Sequence, residues 1–270
     1  MSINNKVKSS LDIKRSLPPQ LQAICDIPGT IFSSDYNLPN LRCSSYAEFL
    51  ANNATASENG WHSIDGTTAT WSSKAPTVAG MLDDNTDVND VDLAHSNQIL
   101  SSIFKQKIPN SSCLDVAAGI GRVTKYCLSN YFDQIDLCEP NTNFLKASEE
   151  FLAGFNIGDR YPSPIQDFQF TKKYDCVWVQ WCCGFATDES LVGFLNRCYA
   201  ALKPDGVLII RDNASSSDFS WAYDPEDGTL YRTKEMYEAC VSCSKFKTSK
   251  SALWYLSQDY LPMIDLVLVK

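Results

Sequence analysis

Leu114-Asp115-Val116-Ala117-Ala118-Gly119-Ile120-Gly121-Arg122 runs from a short apolar segment into a helical one. Its glycines fall where the backbone must turn sharply and let a ligand come close. Outward from this stretch, short apolar runs alternate with helical spacing. Strands are predicted at Cys113 to Ala117, Gln134 to Cys138, Asp175 to Trp181 and Gly206 to Arg211. Helices are predicted at Gly121 to Leu128, Asn141 to Phe155 and Asp188 to Leu202, the last closed by a turn at Lys203-Pro204-Asp205-Gly206. That alternation is the sign of a parallel α/β sheet. A further helix is expected over residues 233–243, and Ala252 to Ser257 with Ile264 to Val269 read as a hairpin that closes the sheet.

Upstream the pattern is weaker. Residues 1–44 are polar and punctuated by Pro18, Pro19, Pro28, Gly29 and Pro39, so they are expected to be an N-terminal extension to a main domain of residues 45–270. A short helix is predicted from Ser45 to Asn52, followed by a small-residue loop, Ser57 to Ala75, that holds Trp61 and Trp71. Tryptophans in such a loop need a packing partner or a ligand. Val91 to Phe104 repeats apolar residues at three and four, as an amphipathic helix does.

Composition narrows the chemistry. With 270 residues, 44 % hydrophobic and 20 % charged, the chain is long enough for one large domain with a real core. The formal charge of −9 argues against nucleic acid as a partner, because phosphate binding needs a basic face, and it favours a cationic partner. Only His62 and His95 are available for a histidine metal site or a Ser-His-Asp triad. The odd count of 11 cysteines, mostly inside apolar runs, points to a reducing compartment, cytoplasmic or nuclear. Cys240 and Cys243 form a C-x-x-C without a second pair, and the acidic run Asp83 to Asp90 lacks the glycine and closing glutamate of a calcium loop, so no metal is expected. No apolar stretch approaches the ~20 residues of a membrane span, and no membrane partner is expected.

The decisive motif has a companion. Glu139 lies 20 residues after Gly119, at the end of the next predicted strand, where a carboxylate can accept hydrogen bonds from both ribose hydroxyls of an adenosine-type ligand. NAD and S-adenosylmethionine both fit that frame. A pyrophosphate wants the fuller G-x-G-x-x-G, whereas this chain has the shorter A-x-G-x-G followed by Arg122, which can pair with the carboxylate of a methionine moiety. The reading favours S-adenosylmethionine.

Further segments carry a family resemblance: Pro76 to Leu82, Asp115 to Lys125, Gln166-Asp167-Phe168, Trp178 to Gly184, Phe194 to Cys198, Leu202 to Gly206, and Arg211-Asp212-Asn213. Over roughly residues 70–270 the chain resembles the protein α-N-terminal methyltransferases, which methylate the free amino group of proteins beginning X-Pro-Lys. The Q-W-x-x-G block and the D-N strand end are more specific than the glycine motif. The resemblance implies a Rossmann-like class I S-adenosylmethionine-dependent methyltransferase, a seven-stranded, mostly parallel sheet with helices on both faces. It implies that Ala117, Gly119, Arg122, Glu139, Ile165, Gln166 and Gln180, with the adjoining Pro140 and Asn141, line the cofactor site, which releases S-adenosylhomocysteine as product. It also implies that Trp71 and Trp181 wall the peptide channel, and that Asn213, Asp224, Asp227 and Thr229 face the substrate N-terminus. The expected partners are basic N-terminal peptides, and the expected state is a monomer.

The chain departs from the family pattern at several positions. Ala117 stands where the family usually has glycine, a change that a strand end absorbs if its φ is negative. Phe185 replaces a histidine after the Q-W-x-x-G block, Thr70 replaces a tyrosine before Trp71, and Asp83-Asp84-Asn85 replaces Gly-Gly-Tyr-Gly. Peptide-side positions have changed more than cofactor-side ones. Asp227 is expected to take the amine proton, directly or through water, with Asn213 orienting the amine. Two alternatives remain open: a methyltransferase for a small-molecule amine on the same fold, and a cofactor-binding relic without turnover.

Overall fold

In order along the chain, the computed structural model, which describes residues 9–33, 40–53, 71–215, 220–257 and 260–270, begins with α1 (Ser10–Ser16), α2 (Pro19–Gln22), β1 (Gly29–Ile31), β2 (Leu41–Cys43), α3 (Tyr46–Asn53), α4 (Val78–Met81) and α5 (Asn89–Ile103). There follow β3 (Ile108–Val116), α6 (Arg122–Tyr126), β4 (Phe132–Cys138), α7 (Thr142–Phe151), β5 (Ile157–Tyr161), β6 (Tyr174–Gln180), α8 (Asp188–Ala201) and β7 (Leu202–Asn213). The chain ends with β8 (Trp221–Asp224), β9 (Thr229–Tyr231), α9 (Lys234–Ser242), β10 (Lys247–Trp254) and β11 (Met263–Val269). Trp61, His62 and Thr70 lie outside the described residues.

Seven strands form the main sheet in the order β10-β11-β7-β6-β3-β4-β5. The pairs among β7, β6, β3, β4 and β5 are parallel, and β11 and β10 close the edge antiparallel. The predicted fold class therefore holds. Chain order reverses at β3, which has β4 on one side and β6 on the other. In open α/β sheets, the crevice beyond the strand ends at such a reversal is where ligands bind.

Both faces of this sheet are buried, which explains the nearly continuous apolar runs of its central strands. Along β6, Val177 and Val179 join one core with Leu114, Val116, Leu208 and Ile210. Cys176 and Trp178 join the opposite core with Cys113, Ile209 and the α5 residues Ile99 and Leu100, as the period-two alternation of a strand requires.

A second sheet, β2-β1-β8-β9, has no counterpart in the sequence reading. β1 pairs parallel with β8, and Leu21, Ile24, Ile31 and Cys43 from residues 1–44 are buried in the first core. Trp221 anchors the arrangement: its ring lies 4.6 Å from that of Phe49 and 5.5 Å from that of Tyr46, and its Nε1 donates to the Ile27 carbonyl at 2.9 Å.

Element boundaries differ from the sequence reading for local reasons. Lys203 to Gly206 is a bulge inside β7 rather than a turn before it, because Leu202 pairs with Tyr174 while the next pair is Val207 with Cys176. Asn141 caps α7, its side chain accepting from the Asn143 N–H, and that helix stops at Phe151, ahead of Gly154 at φ +91°. The predicted strand at Ala252 to Ser257 runs instead from Lys247 to Trp254. All 11 cysteines are free, and only Cys243 is less than buried.

Candidate active site

Beyond the ends of β3, β4 and β6 lies a cavity of ≈ 370 Å³, within the range of small-molecule sites. Its walls contain every predicted cofactor residue (Ala117, Gly119, Arg122, Glu139, Pro140, Asn141, Ile165, Gln166 and Gln180), and both predicted channel tryptophans, Trp71 and Trp181.

The floor is the turn after β3. Ala117, Gly119 and Gly121 all have positive φ, at +56°, +57° and +91°. The condition under which a strand end absorbs alanine at 117, a negative φ, is thus not met: the chain enters the turn one residue earlier than the strand pattern indicates. Glycine is required twice over at the other two positions, since a Cβ at Gly119 would strike the Met81 thioether and one at Gly121 the Leu152 side chain.

Glu139, 6 % exposed, accepts the Gly119 N–H at 2.9 Å and the Asn141 N–H at 2.8 Å, one on each carboxylate oxygen. Each oxygen keeps a second lone pair, which matches a ribose diol. Burial pushes this carboxyl up, and the two backbone donors pull it back. Arg122 donates to Asp92 at 2.6 Å and lies 5.2 Å from the centre of the Trp181 ring. Gln180 donates to both Asp92 oxygens and accepts from the Trp178 indole. Ile165 and Gln166 are fixed by Arg197, which donates to both carbonyls, and the Gln166 amide donates to the Phe185 carbonyl at 2.8 Å.

The remaining wall comes from the segment after β6. Trp181 has φ +54°, and the N–H groups of Cys182 and Cys183 donate to Asp212, whose carboxyl burial pushes up to about 6 against those backbone donors. Phe185, the residue that replaces histidine, meets Trp71 edge to face at 6.1 Å. Asn141 donates to the Trp71 carbonyl at 3.0 Å, and the Trp71 indole N–H is buried with no partner among the described residues. The donor set fits S-adenosylmethionine: a buried acid at the strand end for the ribose, Arg122 for the carboxylate, and apolar walls with one free indole N–H.

Of the predicted peptide-side residues, Asn213, Asp224, Asp227 and Thr229 are not among the cavity's walls. Asn213 ends β7, half-buried, with its carbonyl accepting from Tyr237. Asp224 accepts the Glu226 N–H and Asp227 the Thr229 N–H, each at 2.9 Å, in the β8–β9 turn. Buried Thr229 packs against Gly184, next to Phe185. Burial pushes the Asp227 carboxyl up, opposed by its bonds to Thr229. Sequence reasoning missed Asp92, Met81, Asp212 and Arg232; the visible signal for Asp92 was its place on the apolar stripe of α5.

The profile of a family described as AdoMet-dependent proline di-methyltransferase matches residues 60–263. An N-terminal Xaa-Pro-Lys N-methyltransferase of Xenopus laevis is 37 % identical over 152 residues, 54 % of this chain and 68 % of its own. An alpha N-terminal protein methyltransferase of Arabidopsis thaliana is 33 % identical over 187 residues, 63 % of this chain and 67 % of its own. Among solved structures, a SAM-dependent methyltransferase of Leishmania major superposes with a TM-score of 0.73 at 26 % identity, covering 90 % of this chain and 96 % of its own.

Proposed function

The chain belongs to the AdoMet-dependent proline di-methyltransferase family, and from that premise we propose that its substrate is the free α-amino group of a protein N-terminus of the Xaa-Pro-Lys type. It is an S-adenosylmethionine-dependent methyltransferase. When bound, that cofactor supplies a methyl group on a sulfonium, open to in-line displacement by an amine lone pair.

The protein's own residues account for the rest. Glu139 and Arg122 hold the two polar ends of the cofactor, and Trp71 and Trp181 exclude water between it and the incoming amine. An α-amino group has a pKa of about 7.7–8.0, so a modest base suffices to free its lone pair. Asp227 accepts that proton, and Asn213 orients the amine. The observation that most supports this reading is the half-buried Asp227 carboxylate, raised by burial and bonded to Thr229, which packs against Gly184 next to the cavity-lining Phe185. Asp224 beside it extends a negative surface toward a following lysine, in keeping with the net charge of −9. The free, buried cysteines support a reducing compartment.

Mass spectrometry of a hexapeptide beginning Ser-Pro-Lys, incubated with the protein and S-adenosylmethionine beside an N-acetylated control, tests the substrate. Methyl masses on the free-amine peptide alone are expected; gain on neither peptide would sink the reading. Asp227→Asn is expected to lower kcat by about 10²–10⁴-fold with cofactor affinity kept. The wild-type rate should fall as pH drops through the Asp227 pKa, because the protonated carboxyl can no longer take the amine's proton. A wild-type rate in Asp227→Asn would remove that residue from the mechanism.

A further inference from the structure

We propose that Asp92 is the positioning residue of the cofactor site, a single buried carboxylate on α5 that sets the aim of both Arg122 and Gln180. Asp92 is fully buried on the core-facing stripe of an amphipathic helix, together with Ser96, Ile99 and Leu100. A carboxylate there is costly unless it is paired and fully hydrogen-bonded. One oxygen takes Arg122 at 2.6 Å and Gln180 at 2.9 Å, and the other takes Arg211 at 2.7 Å and the same Gln180 amide at 3.0 Å. Burial pushes this carboxyl up, but Arg211 and Arg122 outweigh it and hold it below the usual carboxylate range.

The two arginines differ in what else holds them. Arg211 is braced on its far side by Asp265 at 3.1 Å and by the Ser96 hydroxyl, and Asp265 in turn meets His95 at 2.6 Å. Among the described residues, Arg122 has besides its bond to Asp92 only a long contact with Asn89, at 3.4 Å, and the Trp181 ring, 5.2 Å from its guanidinium. Arg211 therefore keeps its geometry without Asp92, whereas Arg122 does not. Gln180 is similarly dependent: its amide nitrogen bonds only to Asp92 among the described residues, and its oxygen only to the Trp178 indole. These two cavity-lining residues thus share one support, placed by a helix that contributes no cavity-lining residue. An amide at position 92 keeps the volume but loses the charge, and it turns an N–H₂ toward one guanidinium.

The proposal rests on the cofactor reading, and calorimetric titration with S-adenosylhomocysteine separates the two. Binding by the wild-type chain is expected; its absence would overturn the cofactor reading and this proposal with it. Asp92→Asn should bind about tenfold to a hundredfold more weakly, the scale of a charged hydrogen bond, and raise the cofactor KM while leaving the peptide KM unchanged. Asp265→Asn disturbs the same buried network but touches neither Arg122 nor Gln180, so its melting temperature falls while its affinity stays within about twofold of wild type. In Asp92→Asn/Arg211→Gln one of the two guanidinium charges that faced Asp92 is removed as well, which lowers the buried positive charge and keeps the fold accessible, and the same loss of affinity is expected. Wild-type affinity in either Asp92 variant would overturn the proposal, as would an equal loss in Asp265→Asn.

Discussion

Two residues without the freedom of glycine sit at positive φ in the cavity walls, Ala117 at +56° and Trp181 at +54°. Left-handed backbone costs an L-residue roughly 1–2 kcal/mol. Replacing Ala117 with glycine removes that strain and adds about 0.4–1 kcal/mol of unfolded-chain entropy, so Ala117→Gly should stabilise the protein by about 0.5 kcal/mol, read as a higher urea midpoint at unchanged slope. A loss of stability would mean that the Ala117 methyl contributes more to packing than its backbone costs. At this scale the turn and the acid of the candidate site were legible, because Gly119, Gly121 and Glu139 are fixed by local geometry at the ends of adjacent strands. Asp92 was not. An acid on a helix reads as a solvated face, and its partners Gln180 and Arg211 are 88 and 119 residues away.

The segment that walls the cavity is tied to α8 by a buried arginine. Arg232, fully buried after β9, donates to Asp188 at 2.8 Å, to the Cys183 carbonyl at 2.8 Å and to the Ala186 carbonyl. It thereby ties the Cys182–Phe185 turn to the start of α8. Arg232→Met leaves the Asp188 carboxylate buried and uncompensated, and should destabilise the protein by about 3–5 kcal/mol. Arg232→Met/Asp188→Leu should recover part of that loss, since it removes the orphaned charge. Urea denaturation of both variants decides the matter: a double variant no more stable than the single one would place the effect in the lost carbonyl contacts instead. Elements with long, doubly buried apolar runs, β3, β4, β6 and β7, were legible from sequence. The strands β1, β2, β8 and β9, of three or four residues each, are too short to show a period of two, and β5 carries Gly158-Asp159 in a half-exposed edge position.

Those short strands change what the N-terminal residues are for the molecule as a whole. Read as sequence, residues 1–44 are polar and interrupted by prolines, and nothing local marks them as core. Yet Leu21, Ile24, Ile31 and Cys43 are buried in the same cluster as Val177 and Leu208, and β1 supplies the partner that β8 pairs with between Gly29–Trp221 and Ile31–Tyr223. The β8–β9 turn that carries Asp224 and Asp227 is the continuation of that sheet, so the proposed amine-facing carboxylates depend on a segment some two hundred residues earlier in the chain. Burying a leucine or isoleucine side chain is worth about 1.5–3 kcal/mol. Three such side chains, together with the flank of buried Trp221 that Gly29 lies against, represent a large share of the 5–15 kcal/mol by which a domain is typically stable. A chain starting at Ser45 should therefore fail to melt cooperatively, while the full chain does so. Calorimetry of the two checks this: a cooperative transition in the shortened chain within a few degrees of the full one would show that the second sheet and its acidic turn hold together without β1.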